Sequence, residues 1–329
     1  MDTPRLTDSY GRDISYLRLS VTDRCDFRCG YCMPAEQRDF VESAAWLDFD
    51  ELERVARAFV GLGVRRIRLT GGEPLTRRGL PTLAARLAAI PGLEDLSLST
   101  NGSQLARLAQ PLRAAGVQRL NISLDTLDAA RFAAITRHGD LTQVLAGIEA
   151  ARATGFAPIK INMVLQAGVN EGEVEAMSDW CAARGFVLRL IETMPLGGAS
   201  CGNGARHVSL ASVRTRLSRG RALLPDISDG GGPARYVRLA DNGARIGFIT
   251  PLSQHFCASC NRVRLSAEGT LHLCLGQNDK AELGPLVRAG ASVADLQAAI
   301  REAVARKPER HEFNEKPGQV VRFMHQTGG

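Results

Sequence analysis

Ten residues from Cys25 to Pro34, "CDFRCGYCMP", carry three thiols in the spacing C-x3-C-x2-C. A second trio, Cys257, Cys260 and Cys274, follows as C-x2-C-x13-C. Thiolates at such spacings are soft ligands for zinc or an iron–sulfur centre. Structural zinc is normally closed by four protein ligands. The first trio supplies three, and the next histidine along the chain is His138. A [4Fe–4S] cluster on three thiolates leaves one iron open to a cofactor or substrate. For the second trio zinc is a stronger alternative than for the first, because His255 or His272 would complete a Cys3His set. Cys181 sits in a helical pattern and reads as packing; Cys201 reads as a loop thiol.

Other candidate groups are basic or glycine-rich. Arg262 and Arg264 stand two apart, so in a strand they share a face. Beside an open metal position they would clamp phosphates; otherwise they are an exposed basic strand. "VRRIRLT" repeats the choice with Arg66 and Arg68, of which Arg68 is nearer the strand end. "TGGEP" (Thr70–Pro74), "STNG" (Ser99–Gly102), "ISLD" (Ile122–Asp125), Lys160 with Asn162, and "IETMP" (Ile191–Pro195) follow in order. Each alone is a turn, a cap or a solvated lysine. Together they fall at the ends of successive predicted strands, where parallel α/β folds place their ligands.

Those strands are expected at 16–21, 64–69, 95–99, 118–124, 159–165 and 186–191, with helix-length segments between them. Asp48 and Glu51 have capping-box spacing before "ELERVARAFVGLG". Asn170 with Glu173 suggests another helix start, running to Gly185, and "GLPTLAARLAAI" and "LTQVLAGIEAARATG" also have helical periodicity. β–α alternation implies a parallel sheet with right-handed crossovers. Six units suggest an incomplete (β/α)6 TIM-type barrel; an open doubly wound sheet gives the same pattern. After Leu196 the alternation breaks into glycine-rich loops, a second cysteine region and a helix near 293–305. A boundary is expected near 235, dividing the chain into 1–235 and 236–329.

The bulk numbers fit a globular protein: 44% hydrophobic and 23% charged residues, with a net charge of +6. No apolar run nears the ~20 residues of a membrane span, and "MDTPRLTDSYGRD" has no signal-peptide core. The expectation is a cytoplasmic protein, where clustered thiols mean metal or redox chemistry rather than disulfides. The positive charge fits an anionic partner, either nucleic acid or a phosphorylated small molecule.

"CDFRCGYC" after the first strand and "GGEP" after the second resemble the radical S-adenosylmethionine (SAM) enzymes. "FCASCNRVRLSAEGTLHLCL", "IETMPLG", "GFITPLSQHFC" and the terminal Gly-Gly narrow the resemblance, from about Tyr10 to Gly329, to the GTP 3',8-cyclase family of molybdenum-cofactor biosynthesis. That resemblance implies an incomplete (β/α)6 barrel closed by a C-terminal region, with two [4Fe–4S] clusters. Cys25, Cys29 and Cys32 would hold the cluster that binds SAM, positioned by Tyr31, Gly72, Ser123 and Met194. Cys257, Cys260 and Cys274 would hold the second, facing guanine, while Arg18, Arg68, Ser99, Lys160, Arg262 and Arg264 would contact GTP. Gly328 and Gly329 would reach into the active site. Ser99 stands where the family usually has threonine, and Asp26 where asparagine is common. "GGASCGNGARH" departs from the family, so its contacts do not carry over.

The implied reaction begins with one-electron cleavage of SAM to methionine and a 5'-deoxyadenosyl radical. Hydrogen leaves C3' of GTP, C3' attacks C8, and an electron and proton complete 3',8-cyclo-7,8-dihydro-GTP. Implied partners are a flavodoxin- or ferredoxin-like electron donor and a downstream cyclic pyranopterin monophosphate synthase. Neither membrane nor nucleic acid is expected, and both monomer and homodimer are compatible. Two rivals stand: a radical SAM enzyme that modifies peptides with an auxiliary cluster, and a metal-stabilised nucleic-acid-binding protein. The arginines beside the second trio argue against the first. An aromatic content of only 5% argues against the second, since single-strand binders stack bases on aromatic rings.

Overall fold

The computed structural model describes residues 5–38, 40, 42–197, 206–226 and 232–328. Cys201 and Gly329, both singled out above, lie outside that set. Strands β1 (Tyr16–Ser20), β2 (Arg66–Thr70), β3 (Asp95–Thr100), β4 (Arg119–Ser123), β5 (Ile159–Leu165) and β6 (Val187–Glu192) match the six expected runs to within two residues at each end. Helices α1 (Phe49–Gly61), α2 (Leu80–Ala88), α3 (Leu105–Ala114), α4 (Ala129–Thr136), α5 (Leu141–Ala153) and α6 (Val174–Ala182) link them. Beyond come α7 (Leu210–Gly220), β7 (Leu223–Asp226), β8 (Arg235–Leu239), β9 (Arg245–Ile249), β10 (Arg262–Leu265), β11 (Thr270–His272), β12 (Lys280–Glu282), α8 (Gly284–Arg288), α9 (Val293–Ala305) and α10 (Met324–Thr327).

Local signals explain most helix starts. Asp48 accepts from Glu51 N while Glu51 returns the bond, so the expected capping box forms at α1. The helix expected after Asn170 does begin there, as a 3-10 turn over Glu171–Glu173, but without a side-chain cap from Asn170. That side chain instead donates to Asp125 O and Val164 O and accepts from Gln166 N, tying two strand ends together. A buried amide is better used on three orphan backbone groups than on one exposed cap. The turn continues directly into α6 at Val174, which ends at Ala182 before the left-handed Gly185.

The sheet order is β12-β11-β10-β1-β2-β3-β4-β5-β6-β9-β8-β7. Strands from β10 through β9 are parallel neighbours, and the outer strands add antiparallel ribbons. The six-unit barrel is therefore extended on both edges by strands from the C-terminal part, which the β–α count did not anticipate. Alternate side chains divide the work. Leu17, Leu19, Ile67, Leu69, Leu98, Leu120, Ile122, Ile161 and Leu190 are fully buried in the core. Their neighbours in sequence, including Arg18, Arg68, Asn121, Lys160 and Arg189, line an interior cavity. Tyr16 on β1 and Arg189 on β6 line that same cavity although five strand spacings of ~4.8 Å separate them along the sheet. A flat sheet would hold them apart, so the sheet curls into a partial barrel. Among the described residues no helix is long and apolar enough to cross a membrane.

The segment from β9 to β10 joins strands on opposite edges of the parallel set and carries Cys257 and Cys260. Glu192, fully buried at the end of β6, anchors its start by accepting from Leu252 N and Ser253 N, each at 3.1 Å. Arg12 anchors its end, donating to Cys257 O (3.0 Å) and Pro308 O (2.7 Å) while paired with buried Asp8 at 2.6 Å.

Candidate active site

Two cavities occupy the barrel interior. One is lined by Cys25, Cys29, Cys32, Tyr31, Gly72, Ser99, Ser123 and Met194. The other is lined by Cys257, Cys260, Cys274, Arg18, Arg68, Lys160, Arg262 and Arg264. Asn162, Ile191, Met194 and Met324 belong to both walls, so the two spaces adjoin. The strand ends do converge, as their sequence positions suggested.

In the first cavity the three thiols are half-buried, free of disulfides, and face a common space. Burial first, then the nearby charge of Glu73, pushes Cys25 up; burial, then Cys32, pushes Cys29 up. Burial alone would keep such thiols protonated; a metal centre beside them would favour the thiolates. Three thiols lining one space, with none of the six histidines but His325 beside them, suit a [4Fe–4S] cluster better than a closed zinc site.

"TGGEP" is moulded to this loop. Gly72 N donates to Thr22 O (2.9 Å) and Glu73 N to Arg24 O (2.7 Å). A Cβ on Gly72 would lie 2.3 Å from Arg24 O, so only glycine permits the approach. Glu73 accepts from Leu75 N (3.0 Å), Thr100 Oγ1 (2.7 Å) and Asn101 N (2.6 Å), linking two strand ends, and burial lifts its pKa to about 8. Asp26 does more than shape its own turn: it accepts from Asn101 Nδ2 and Ser103 Oγ, both at 2.6 Å. Tyr31 donates to Asp125 (2.8 Å), whose other oxygen accepts from Val164 N (2.8 Å). Burial raises Asp125 to about 6 despite both bonds.

The second cavity is a cationic chamber. Besides the expected residues, Arg119, Arg189 and Lys307 line it, and no aspartate or glutamate does among the described residues. Register explains the grouping: Arg264, Arg18 and Arg68 sit side by side across β10, β1 and β2, and Ser97 follows on β3. Burial first, then the charges of Arg264 and Arg68, holds Arg18 well below the usual arginine value. Burial, then Arg262, brings Arg264 to about 9; burial, then Arg189 and Arg119, brings Lys160 to about 7. Like charges gathered without a carboxylate destabilise one another, and a polyanion relieves them all.

Cys257, Cys260 and Cys274 border that chamber. Burial opposes ionisation of Cys260, yet Lys307 and Arg262 overcome it and bring the thiol below its ordinary value. Lys307 is buried and donates to Leu273 O at 2.5 Å. The histidine alternative takes a different form from the one the spacing suggested. His272 does not line the cavity, whereas ligand atoms of His255, Cys257 and His311 lie within 4.8 Å of one another. That set uses only one cysteine of the trio.

Ser99 lines the first cavity rather than the arginine chamber, and its Oγ is buried without a hydrogen-bond partner. Gly328 reaches the barrel interior: Arg264 donates to its carbonyl, and a Cβ there would lie 2.2 Å from Thr70 Cγ2. Sequence reading missed Arg189, Arg119, Asn121 and Lys307. The first three stand at alternate positions on strands already identified, so extending the inward-facing phase along β4 and β6 would have found them. Lys307 had no local signal.

Comparisons with known proteins agree with this geometry. Residues 19–181 match the radical SAM superfamily, and residues 186–313 match the Molybdenum Cofactor Synthesis C family. GTP 3',8-cyclase 1 of Pseudomonas aeruginosa is 53% identical over 98% of both chains. The GTP 3',8-cyclase of Paracoccus denitrificans is 52% identical over 98% of this chain and 96% of its own. Among solved structures, Streptococcus suis SuiB bound to S-adenosylmethionine shares the fold, with a TM-score of 0.61 at 14% identity, over 96% of this chain and 78% of that one. With two cysteine-lined cavities in one partial barrel and full-length relatives at half identity, this chain belongs to the GTP 3',8-cyclase family of radical SAM enzymes.

Proposed function

We propose that this protein converts GTP to 3',8-cyclo-7,8-dihydro-GTP in molybdenum-cofactor biosynthesis. The observation that carries the reading is a chamber with six arginines, two lysines and no carboxylate among its described lining, opening onto the cavity of the first cysteine set. A triphosphate satisfies that chamber, and a peptide or a structural zinc does not.

Residues 1–235 supply Cys25, Cys29 and Cys32 for one [4Fe–4S] cluster, and 236–329 supply Cys257, Cys260 and Cys274 for a second. The first cluster, when reduced, supplies the electron that opens a carbon–sulfur bond of SAM. The chain's own work is placement. Tyr31, Gly72, Ser123 and Met194 hold SAM; Arg18, Arg68, Lys160, Arg262 and Arg264 contact GTP, several of them through its phosphates. Ser99, with a free buried hydroxyl, stands on the SAM side, where the ribose has to lie for its C3' hydrogen to be removed. Fixing base and phosphates at opposite ends enforces the conformation that joins C3' to C8. A one-electron donor of flavodoxin or ferredoxin type and a downstream cyclic pyranopterin monophosphate synthase complete the setting.

The test is an anaerobic turnover of reconstituted, reduced protein with SAM and GTP deuterated at C3'. The expected result is 5'-deoxyadenosine carrying deuterium, read by mass spectrometry. SAM cleavage without deuterium transfer would reject GTP as the hydrogen donor.

Lys160 gives an independent check. Its pKa is lowered to about 7, first by burial and then by Arg189. A bound triphosphate favours the ammonium and raises that value. Between pH 7 and the ordinary lysine value near 10.4, binding therefore takes up a proton and GTP affinity declines as pH rises. Calorimetry at pH 8 in two buffers of different ionisation enthalpy should show uptake approaching one proton, and a Lys160→Met variant should lose it.

A further inference from the structure

His325 is the histidine that stands beside the first cysteine set. It lies on α10, only 2% exposed, and lines the cavity of the first cysteine set. Its ring stacks on Phe323 (centroids 5.8 Å apart, planes at 15°) and meets Phe40 edge-on at 5.7 Å. Neither Nδ1 nor Nε2 has a hydrogen-bond partner. Buried imidazoles normally bond through at least one nitrogen, and leaving both unmade is costly. Burial, and to a lesser degree Arg28, lowers its pKa to about 4, so the ring is neutral with one donor and one acceptor.

The cavity wall combines two chemistries. Thiols, Glu73 and the Gly71–Gly72 backbone form one part. Met194, Leu196 and Met324, which belong to a small apolar cluster, form another, and His325 adjoins Met324 in the chain. SAM is divided in the same way. Its amino-acid end is charged; its adenosyl end is flat, uncharged and rich in hydrogen-bonding atoms. A neutral imidazole among aromatic and thioether side chains complements the second end.

We propose that His325 hydrogen-bonds the adenosyl portion of bound SAM, making the C-terminal turn part of the cofactor site. The inference rests on the placement of SAM given under the proposed function. It also links the cavities: three residues beyond His325, the carbonyl of Gly328 is held by Arg264 of the phosphate chamber.

Equilibrium binding to the anaerobically reconstituted protein tests it, with SAM, 5'-deoxyadenosine and methionine as probes. His325→Phe keeps an aromatic ring for stacking and removes both nitrogens; His325→Gln restores a donor and an acceptor. His325→Phe should weaken SAM and 5'-deoxyadenosine roughly tenfold, the worth of one hydrogen bond to a buried group, and leave methionine unchanged. His325→Gln should recover most of the loss. If His325→Phe does not fold, His325→Met carries the same expectation. Unchanged SAM and 5'-deoxyadenosine affinity in the apolar variant, or an equal loss for methionine, overturns the inference. Gly72→Val separates the two levels: if it weakens SAM while His325→Phe does not, only the histidine contact falls. If neither does, the placement of SAM in this cavity falls as well.

Discussion

Replacing Cys32 by serine should abolish SAM cleavage, a loss beyond the ~100-fold typical of removing an outer-shell partner of a metal site. Cys25, Cys29 and Cys32 share one cavity, and among the described residues no other cysteine lines it. An alcohol at one corner leaves two thiolates for a cluster that needs three. Iron per chain should drop by about four atoms, with the second set left loaded. Cys274→Ser should show the converse: SAM cleavage persists, iron falls by a similar amount, and GTP binding weakens. Cys181→Ser is the contrast, because that thiol packs in the core and touches neither cavity. Iron and sulfide analysis with 5'-deoxyadenosine quantification reads all three variants. Full iron retention by Cys32→Ser would remove the first cluster assignment. Zinc in place of iron after Cys25, Cys29 and Cys32 are all replaced would remove the second.

The next largest effect should come from a single methyl group, in Gly328→Ala. At φ 75° and ψ 129° the backbone of Gly328 occupies a region that other residues avoid, and the new Cβ would meet Thr70 Cγ2 at 2.2 Å and Cβ at 3.0 Å. Thr70 is buried at the end of β2 and cannot retreat. The tail must give way, breaking its bonds to Arg264. Turnover should fall about 100-fold, as a misplacement near 1 Å can cost. The thermal midpoint should move by less than the few degrees that ~1 kcal/mol produces in a chain of this size, because helix α10 is short and the main core does not include it. Equal turnover in the variant would show that the tail does not serve the reaction. A large drop in melting temperature would show that it serves the fold instead.

Much of this site was legible because its signals are local. The spacing of Cys25, Cys29 and Cys32, the paired glycines of "TGGEP" and the alternation along β1 to β6 each depend on residues close in sequence. Asn170 shows the limit of such reading. Its spacing to Glu173 has the form of a cap, yet two strand ends compete for the same amide and win, since their carbonyls have no water to turn to. Ser99 shows another: the family resemblance implies a substrate contact there, but only the fold reveals that its hydroxyl lies in the cavity of the first cysteine set and not in the arginine chamber.

By itself the sequence determined the ligand types, the order of the β–α units and the family, because thiol spacing, caps and strand periodicity are short-range properties. Only the tertiary structure decided what those groups face. Curling the sheet brings Tyr16 and Arg189 into one chamber, and pairing β10 with β1 sets Arg264 beside Arg18. It also carries His325 and Gly328 from the chain's far end to the two cavities. These are contacts across hundreds of residues, whose closure is driven by burial of the common core rather than by any local preference, so no window of sequence contains them.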